Sequence, residues 1–216
     1  MSVDLGSFEA VQFTPVLKTD FIMKTTLNYN LCETLIKLAE QKIETGVVDN
    51  LDLVKRTGWA LQKDSDVGSY LQKVTSKVEH CIMTKLNYPH FNKRKPDAMR
   101  QHGMQFVIAM YEAWVGFYNQ GSFVHPHCHA EAPNFYSIAA YLSTGGDETS
   151  LTFMTDESPS HASNRITVPC KQGDMIIFPS NLYHYTNDTS DERVVLSGNY
   201  YAGFMPQINI SNTGDL

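Results

Sequence analysis

From Met104 onward the chain breaks into short runs rich in β-branched and aromatic residues, separated by Gly, Pro, Asn and Asp. That texture restricts it to many short strands. Strands are predicted over 104–119, 135–142, 150–154, 165–168, 174–178 and 193–204, with turn signals at Gly145-Gly146 and Gly173-Asp174. The first hundred residues read differently. Leu31, Leu35, Leu38 and Ala39 recur at helical spacing, Asn30 and Glu33 supply a cap with a reciprocal partner, and Gly46 supplies a stop, which predicts a helix over 30–44. Val67, Tyr70, Leu71, Val74, Val78, Cys81 and Ile82 mark a second amphipathic helix, opened by Ser65 or Asp66 and closed before Pro89. A helical prelude followed by many strands points to a mainly β protein with N-terminal helices, an antiparallel sandwich or barrel with the helices outside one sheet. At 216 residues a single domain is expected. In it, a helical portion over 1–102 packs on a core over 103–204, and a polar tail over 205–216 follows.

Composition removes whole classes of function. With 42% hydrophobic and 19% charged residues there is enough apolar surface for a core, which excludes wholesale disorder. The net charge of -6 leaves no general basic field for nucleic acid, and the short run Lys93 to Lys95 is too small to supply one. No stretch is long and apolar enough to span a membrane, and Met1 to Gly6 lacks the pattern of a secretory leader. Cys32, Cys81, Cys128 and Cys170 are scattered without a C-x-x-C pair, so a reducing compartment and a cytoplasmic location are expected.

Three of the eight histidines fall in His125-Pro126-His127-Cys128-His129. Alternate residues of an extended strand share a face, so His127 and His129 can point into one cavity, joined by His125 if the strand persists through Pro126. Alone, so short a motif also fits a His-rich loop or hydrogen-bonded core histidines. A second segment changes the balance. Gly173-Asp174-Met175-Ile176-Ile177-Phe178-Pro179 reads as a turn, an apolar strand and a strand-ending proline, and His184 follows five residues later. In a double-stranded β-helix (a jelly roll or cupin-like barrel), such a segment delivers one histidine inward near the mouth. An H-x-H pair with a distal histidine gives a facial set of three neutral ligands with open positions on the metal, suited to iron, zinc, copper or nickel. Arg193, nine residues after His184, is placed to reach the same cavity and hold a carboxylate with its planar fork. The plainer alternative is a surface arginine paired with Asp191 or Glu192.

These residues carry a family resemblance. In order, Trp114, Gly121, His127-x-His129, Ser137 with Tyr141-Leu142, Leu151-Thr152-Phe153, Val168-Pro169, Gly173-Asp174, Phe178-Pro179-Ser180, His184 and Glu192-Arg193 resemble the 2-oxoglutarate- and Fe(II)-dependent oxygenases. The similarity is to the small branch found in marine bacteria and their phages, and it covers about residues 104 to 204. It implies a jelly-roll core, Fe(II) held by His127, His129 and His184, and 2-oxoglutarate chelating the iron while Arg193 pairs with its far carboxylate. Tyr141 or Ser197 donates a further hydrogen bond there. The activity implied is a dioxygenase that decarboxylates 2-oxoglutarate to succinate and CO2 and hydroxylates a small-molecule or peptidyl substrate the sequence does not identify. Two departures stand out. The broader superfamily places Asp or Glu where this chain has His129, so either His129 substitutes or Glu131 reaches in. The branch tends to have Gly after the serine, where this chain has Ile138.

Trp114, Phe117, Tyr136 and Tyr183 are candidates to line the pocket, although aromatic residues in strands are more often core. Two other functions remain open. One is a cupin-type metalloenzyme without 2-oxoglutarate, a dioxygenase or isomerase, for which Glu131 and Asn187 would supply nearby polar groups. The other is a non-enzymatic barrel stabilised by a metal with a closed coordination shell. Ile- and Tyr-rich edge strands make a homodimer reasonable.

Overall fold

The structure, a computed structural model, describes residues 12–15, 21–49, 54–85, 104–130, 135–145, 149–154, 165–186 and 191–206. Glu131, Asn187, Lys93 to Lys95, Gly146 and the tail beyond 206 lie outside them. Among the described residues, twelve strands form two antiparallel sheets. In the large sheet the spatial order runs β1 (Gln12–Pro15), β2 (Phe21–Thr26), β10 (Asp174–Pro179), β7 (Tyr136–Ser143), β12 (Arg193–Pro206), β5 (Met104–Tyr118), β4 (Val54–Thr57) and β3 (Ile43–Asp49). The small sheet runs β6 (Val124–His127), β11 (Tyr183–Thr186), β8 (Thr149–Met154) and β9 (Arg165–Cys170). One face of the large sheet meets the small sheet and the other is covered by helices, which makes the fold a double-stranded β-helix. All six strands expected from the sequence are present, with boundaries within two residues.

The period of two along the strands explains why several of them are apolar on both faces. On β7, Ile138, Ala140 and Leu142 join Met175, Ile177 and Leu196 in a core beneath the helices. Their neighbours Ala139 and Tyr141 join Ile176, Phe178 and Val195 in a second core against Leu151 and Phe153 of the small sheet. Each fully buried aliphatic side chain contributes roughly 1.5–3 kcal/mol of transfer free energy. Gly173, at φ +87°, makes the turn into β10. Its N–H donates to the Tyr141 carbonyl at 2.8 Å and its own carbonyl accepts from Leu27 at 2.7 Å. A side chain there would be strained and would crowd the Leu27 carbonyl.

The described residues before 103, a region expected to be helical, hold two helices and four strands. Helix α1 (Tyr29–Glu40) is capped by Asn28, whose side chain accepts from the Asn30 amide at 2.8 Å, and it buries Cys32, Leu35 and Ala39. The expected cap at Asn30 is therefore two residues late. Nor does the helix reach Gly46: it ends near Gln41, because the β-branched Ile43-Glu-Thr-Gly-Val-Val stretch pairs with β4 instead. Helix α2 (Ser65–Lys85) follows a 3-10 turn at Leu61–Lys63. Asp64 opens it, its carboxylate accepting from the amides of Asp66 at 2.9 Å and Val67 at 3.2 Å. Lys24 of β2 forms an ion pair with buried Asp174 at 2.6 Å and donates to the Pro169 carbonyl at 2.7 Å, which fastens β2 onto β10.

Candidate metal centre

β11 lies beside β6 with His184 directly opposite His127. Beyond β6 the chain turns inward, and the His129 amide donates to the Ser180 carbonyl at 2.7 Å. The three imidazoles converge, with ring centroids 4.3 Å apart for His127 and His184, 4.9 Å for His127 and His129, and 5.2 Å for His129 and His184. One ligand nitrogen from each lies within 4.8 Å of the others. The Nδ1 of His127 donates to the His125 carbonyl at 2.8 Å, and that of His184 to the Leu182 carbonyl at 3.0 Å. Committing Nδ1 as a donor leaves Nε2 with its lone pair toward the cluster, the orientation a metal-binding histidine needs.

The surroundings keep two of these rings, His184 and His129, neutral. Burial, followed by the nearby His127, lowers His184 to about 3, against a smaller opposing effect of the Leu182 carbonyl. The same two causes lower His129 to about 4. Neutral imidazoles at physiological pH are the state a cation binds. The donor set fits Fe(II): three uncharged nitrogens on one side, with cavity on the other. His125 does not join the cluster. Although it shares parity with His127, it is exposed at the rim, its ring edge-on to Phe123 at 4.7 Å, where the pairing of β6 with β11 shifts register between His127 and Val124.

A cavity of about 340 Å³ opens between the sheets beside the histidines. The inner-facing row of β12 is Arg193, Val195, Ser197 and Asn199, and the strand registers set Tyr118 opposite Arg193, Tyr141 opposite Val195, and Trp114 opposite Ser197. Arg193, Tyr141 and Ser197 all line the cavity. Arg193 is 2% exposed. Its Nη2 donates to Thr186 Oγ1 at 2.8 Å and to the Ser122 carbonyl at 3.4 Å, and its guanidinium carbon lies 4.7 Å from the Tyr118 ring centre. The surface-arginine alternative is thereby overturned. Tyr141 is held well above the usual phenol range by burial and by Cys170, with Arg193 acting in the opposite sense. Its hydroxyl donates to the Cys170 sulfur, and burial pushes that thiol up to about 12.

A chain of hydrogen bonds braces the ligand-bearing turn. Glu112 accepts from Asn199 Nδ2 at 3.0 Å, Asn199 Oδ1 accepts from the Ser137 hydroxyl at 2.7 Å, and Ser180 lies 2.9 Å from Ser137. Ser180 in turn holds the His129 amide. Ser137 and Ser180 belong to the sequence motif, whereas Asn199 and Glu112 carry no local signal and become visible only through the register of β12 with β5 and β7. Of the aromatic candidates, Trp114 lines the cavity. Phe117 and Tyr136 pack with the helix-side core, since both fall on the other parity, and Tyr183 is 51% exposed. Trp59 and Arg56 were missed: they lie outside the motif region, on β4 and the turn after it, which come to the cavity only because β4 pairs with β5.

No protein-family model matches the chain, and no curated protein matches it. Solved structures do. A prolyl-4-hydroxylase from Pseudomonas putida superposes with a TM-score of 0.55 at 16% identity, covering 85% of this chain and 93% of that one. A viral collagen prolyl hydroxylase from Paramecium bursaria Chlorella virus-1, solved with 2-oxoglutarate, gives 0.54 at 14% identity over 83% and 94%. HygX from Streptomyces hygroscopicus, solved with nickel and 2-oxoglutarate, gives 0.56 at 12% identity over 83% and 82%. At such identities the likeness establishes the shared fold.

Proposed function

We propose that this protein is a 2-oxoglutarate- and Fe(II)-dependent dioxygenase that hydroxylates a small-molecule or peptidyl substrate. The observation that carries the reading is the meeting, in one cavity, of three imidazoles and a guanidinium drawn from three separate stretches of chain. That structural neighbours were solved with 2-oxoglutarate and nickel supports it. His127, His129 and His184 hold the iron, with the His127 and His184 rings oriented by their carbonyl bonds. Arg193 pairs with the far carboxylate of 2-oxoglutarate, and its contacts with Thr186 and Ser122 fix the guanidinium before the cosubstrate arrives. Ser197 lies along the same inner row, and Tyr141 presents a protonated phenol from the facing strand. Bound there, iron and 2-oxoglutarate supply the oxidising power: O2 and 2-oxoglutarate become succinate and CO2 as one oxygen atom enters a C–H bond of the substrate.

Charge balance follows from the ligand set. Three neutral imidazoles leave the charge of Fe(II) uncompensated by protein, so the dianionic cosubstrate supplies the balancing charge, and iron and 2-oxoglutarate bind with mutual reinforcement. Among the described residues no helix is long and apolar enough to cross a membrane, and all four cysteines are free. Together with the acidic net charge these features support a cytoplasmic enzyme that does not act on nucleic acid. The test is anaerobic addition of 2-oxoglutarate to the Fe(II)-loaded protein. A visible charge-transfer band is expected, with succinate released on admitting O2. Iron demonstrably bound with no band would overturn the reading in favour of a metalloenzyme without this cosubstrate.

A further inference from the structure

β5 changes faces at Tyr111. Asn199 of β12 pairs with Glu112 and Tyr200 pairs with Met110, so Tyr111 is an extra residue in the ladder, a β-bulge. Before it, Ile108 and Met110 pack beneath the helices. After it, Glu112 shares its face with Trp114, which lines the cavity. A bulge re-aims a side chain, and this one delivers a carboxylate to the metal side of the sheet. Glu112 itself is half-buried and does not line the cavity. What it meets is Asn199, whose Nδ2 donates to it at 3.0 Å.

That carboxylate determines where the protons lie in the row behind it. A carboxylate only accepts, so the Asn199 amide nitrogen faces Glu112 and the Asn199 oxygen faces Ser137. The Ser137 hydroxyl gives its one proton to that oxygen at 2.7 Å, which makes Ser180 the donor in the 2.9 Å bond between the two serines. Asn199, Ser137 and Ser180 are 2%, 1% and 1% exposed, and a buried polar row holds a single arrangement when all its members are satisfied. Ser180 is where the row reaches the histidines. Its amide donates to the Phe135 carbonyl at 3.1 Å and its carbonyl accepts from the His129 amide at 2.7 Å. The same residue opens the turn to His184: the Leu182 amide donates to the Pro179 carbonyl at 3.1 Å, and the Leu182 carbonyl accepts from His184 Nδ1 at 3.0 Å. Two of the three ligands therefore depend on the place of Ser180, whereas the His127 ring is held separately by the His125 carbonyl.

We infer that Glu112 is a positioning residue of the metal centre, which fixes the places of His129 and His184 through Asn199, Ser137 and Ser180. This deepens the function proposed above and rests on it only in that the three histidines hold a metal. Ni(II) and Co(II) serve as probes on the whole chain. Glu112→Leu keeps the bulk and removes the acceptor; it should lower Ni(II) affinity about fivefold in equilibrium dialysis, less than the loss of a group bonded directly to a ligand. At saturating metal the visible absorption of the Co(II) form should also change, because it follows ligand geometry and is unmoved by a loss of stability alone. Glu112→Gln retains an oxygen for the Asn199 amide and should restore the parent spectrum and an affinity within about twofold of the parent. Ser137→Ala cuts the row nearer the metal, so adding Glu112→Leu to it should cost less than about twofold more. Should Glu112→Leu not fold, Glu112→Ala, which brings no apolar bulk to the edge, gives the same readings. An unchanged affinity and spectrum in Glu112→Leu, a Glu112→Gln form as weak as Glu112→Leu, or losses that multiply in the double variant would overturn the inference. Absence of the 2-oxoglutarate charge-transfer band with Fe(II), while metal affinity still answers to Glu112, would remove the proposed dioxygenase and leave this role standing. A parent protein that binds neither probe metal would remove the metal centre and the role of Glu112 with it.

Discussion

Along β7, Ile138, Ala140 and Leu142 point to the helices while Ser137, Ala139 and Tyr141 point to the cavity, and the same two-residue period divides β10 and β12. The helix side is apolar and closed, with Leu35, Val74, Val78 and Ile82 almost wholly removed from solvent. The cavity side mixes small side chains, hydroxyls and a buried guanidinium, and leaves space. One set of backbone hydrogen bonds therefore supports two surfaces with separate tasks. Residues adjacent in sequence differ in what their loss should do: one parity carries stability and the other carries binding.

The largest effect expected lies on the binding side. His184→Ala removes a ligand nitrogen and should lower affinity for Ni(II) or Fe(II) by more than about 100-fold in equilibrium dialysis, beyond the usual effect of losing a ligand's supporting partner. A metal affinity that survived would break the contrast outright. Ile177, on the opposite parity of β10 and 0% exposed, should behave in the reverse way. Ile177→Ala is expected to cost about 3 kcal/mol in urea unfolding while metal affinity moves by less than about twofold. Next comes Arg193→Gln, which should weaken 2-oxoglutarate about 30-fold by calorimetry and leave iron binding nearly intact. Equal loss of both would show that the guanidinium holds the small sheet together through Thr186 rather than binding the cosubstrate. The smallest change sharpens the boundary between the two tasks. Ser137→Ala cuts the link from Asn199 to Ser180 and should lower stability by about 1 kcal/mol and metal affinity roughly tenfold, because Ser180 holds the His129 turn.

Much of this was legible in the sequence because its signals are local. Alternating and fully apolar runs marked the strands from 104 onward, and the His127-x-His129 pair, His184 and Arg193 sit at strand ends whose spacing hints at a shared mouth. What escaped notice depends on pairing between distant segments. β2 is buried on both faces, so Phe21-Ile-Met-Lys-Thr-Thr shows no alternation, and its partner, the Asp174 strand, lies far along the chain. β4 and Trp59 lack any motif of their own and gain meaning from lying beside β5. The face of Phe117 and Tyr136 stayed open for a related reason: composition locates an aromatic residue in a strand, but the register decides its face.

The fastening of β2 to β10 bears on how the molecule is assembled in time. β2 leaves the ribosome early, with Met23 and Ile22 needing burial, yet the edge that covers it is made from Asp174 to Ile177. During synthesis this segment must wait, exposed, for more than half of the chain. Contacts so remote in sequence close slowly. His184, the pocket's last imidazole, leaves the ribosome after β10, so the three-histidine cluster cannot be complete until the late partner of that early segment has also been made.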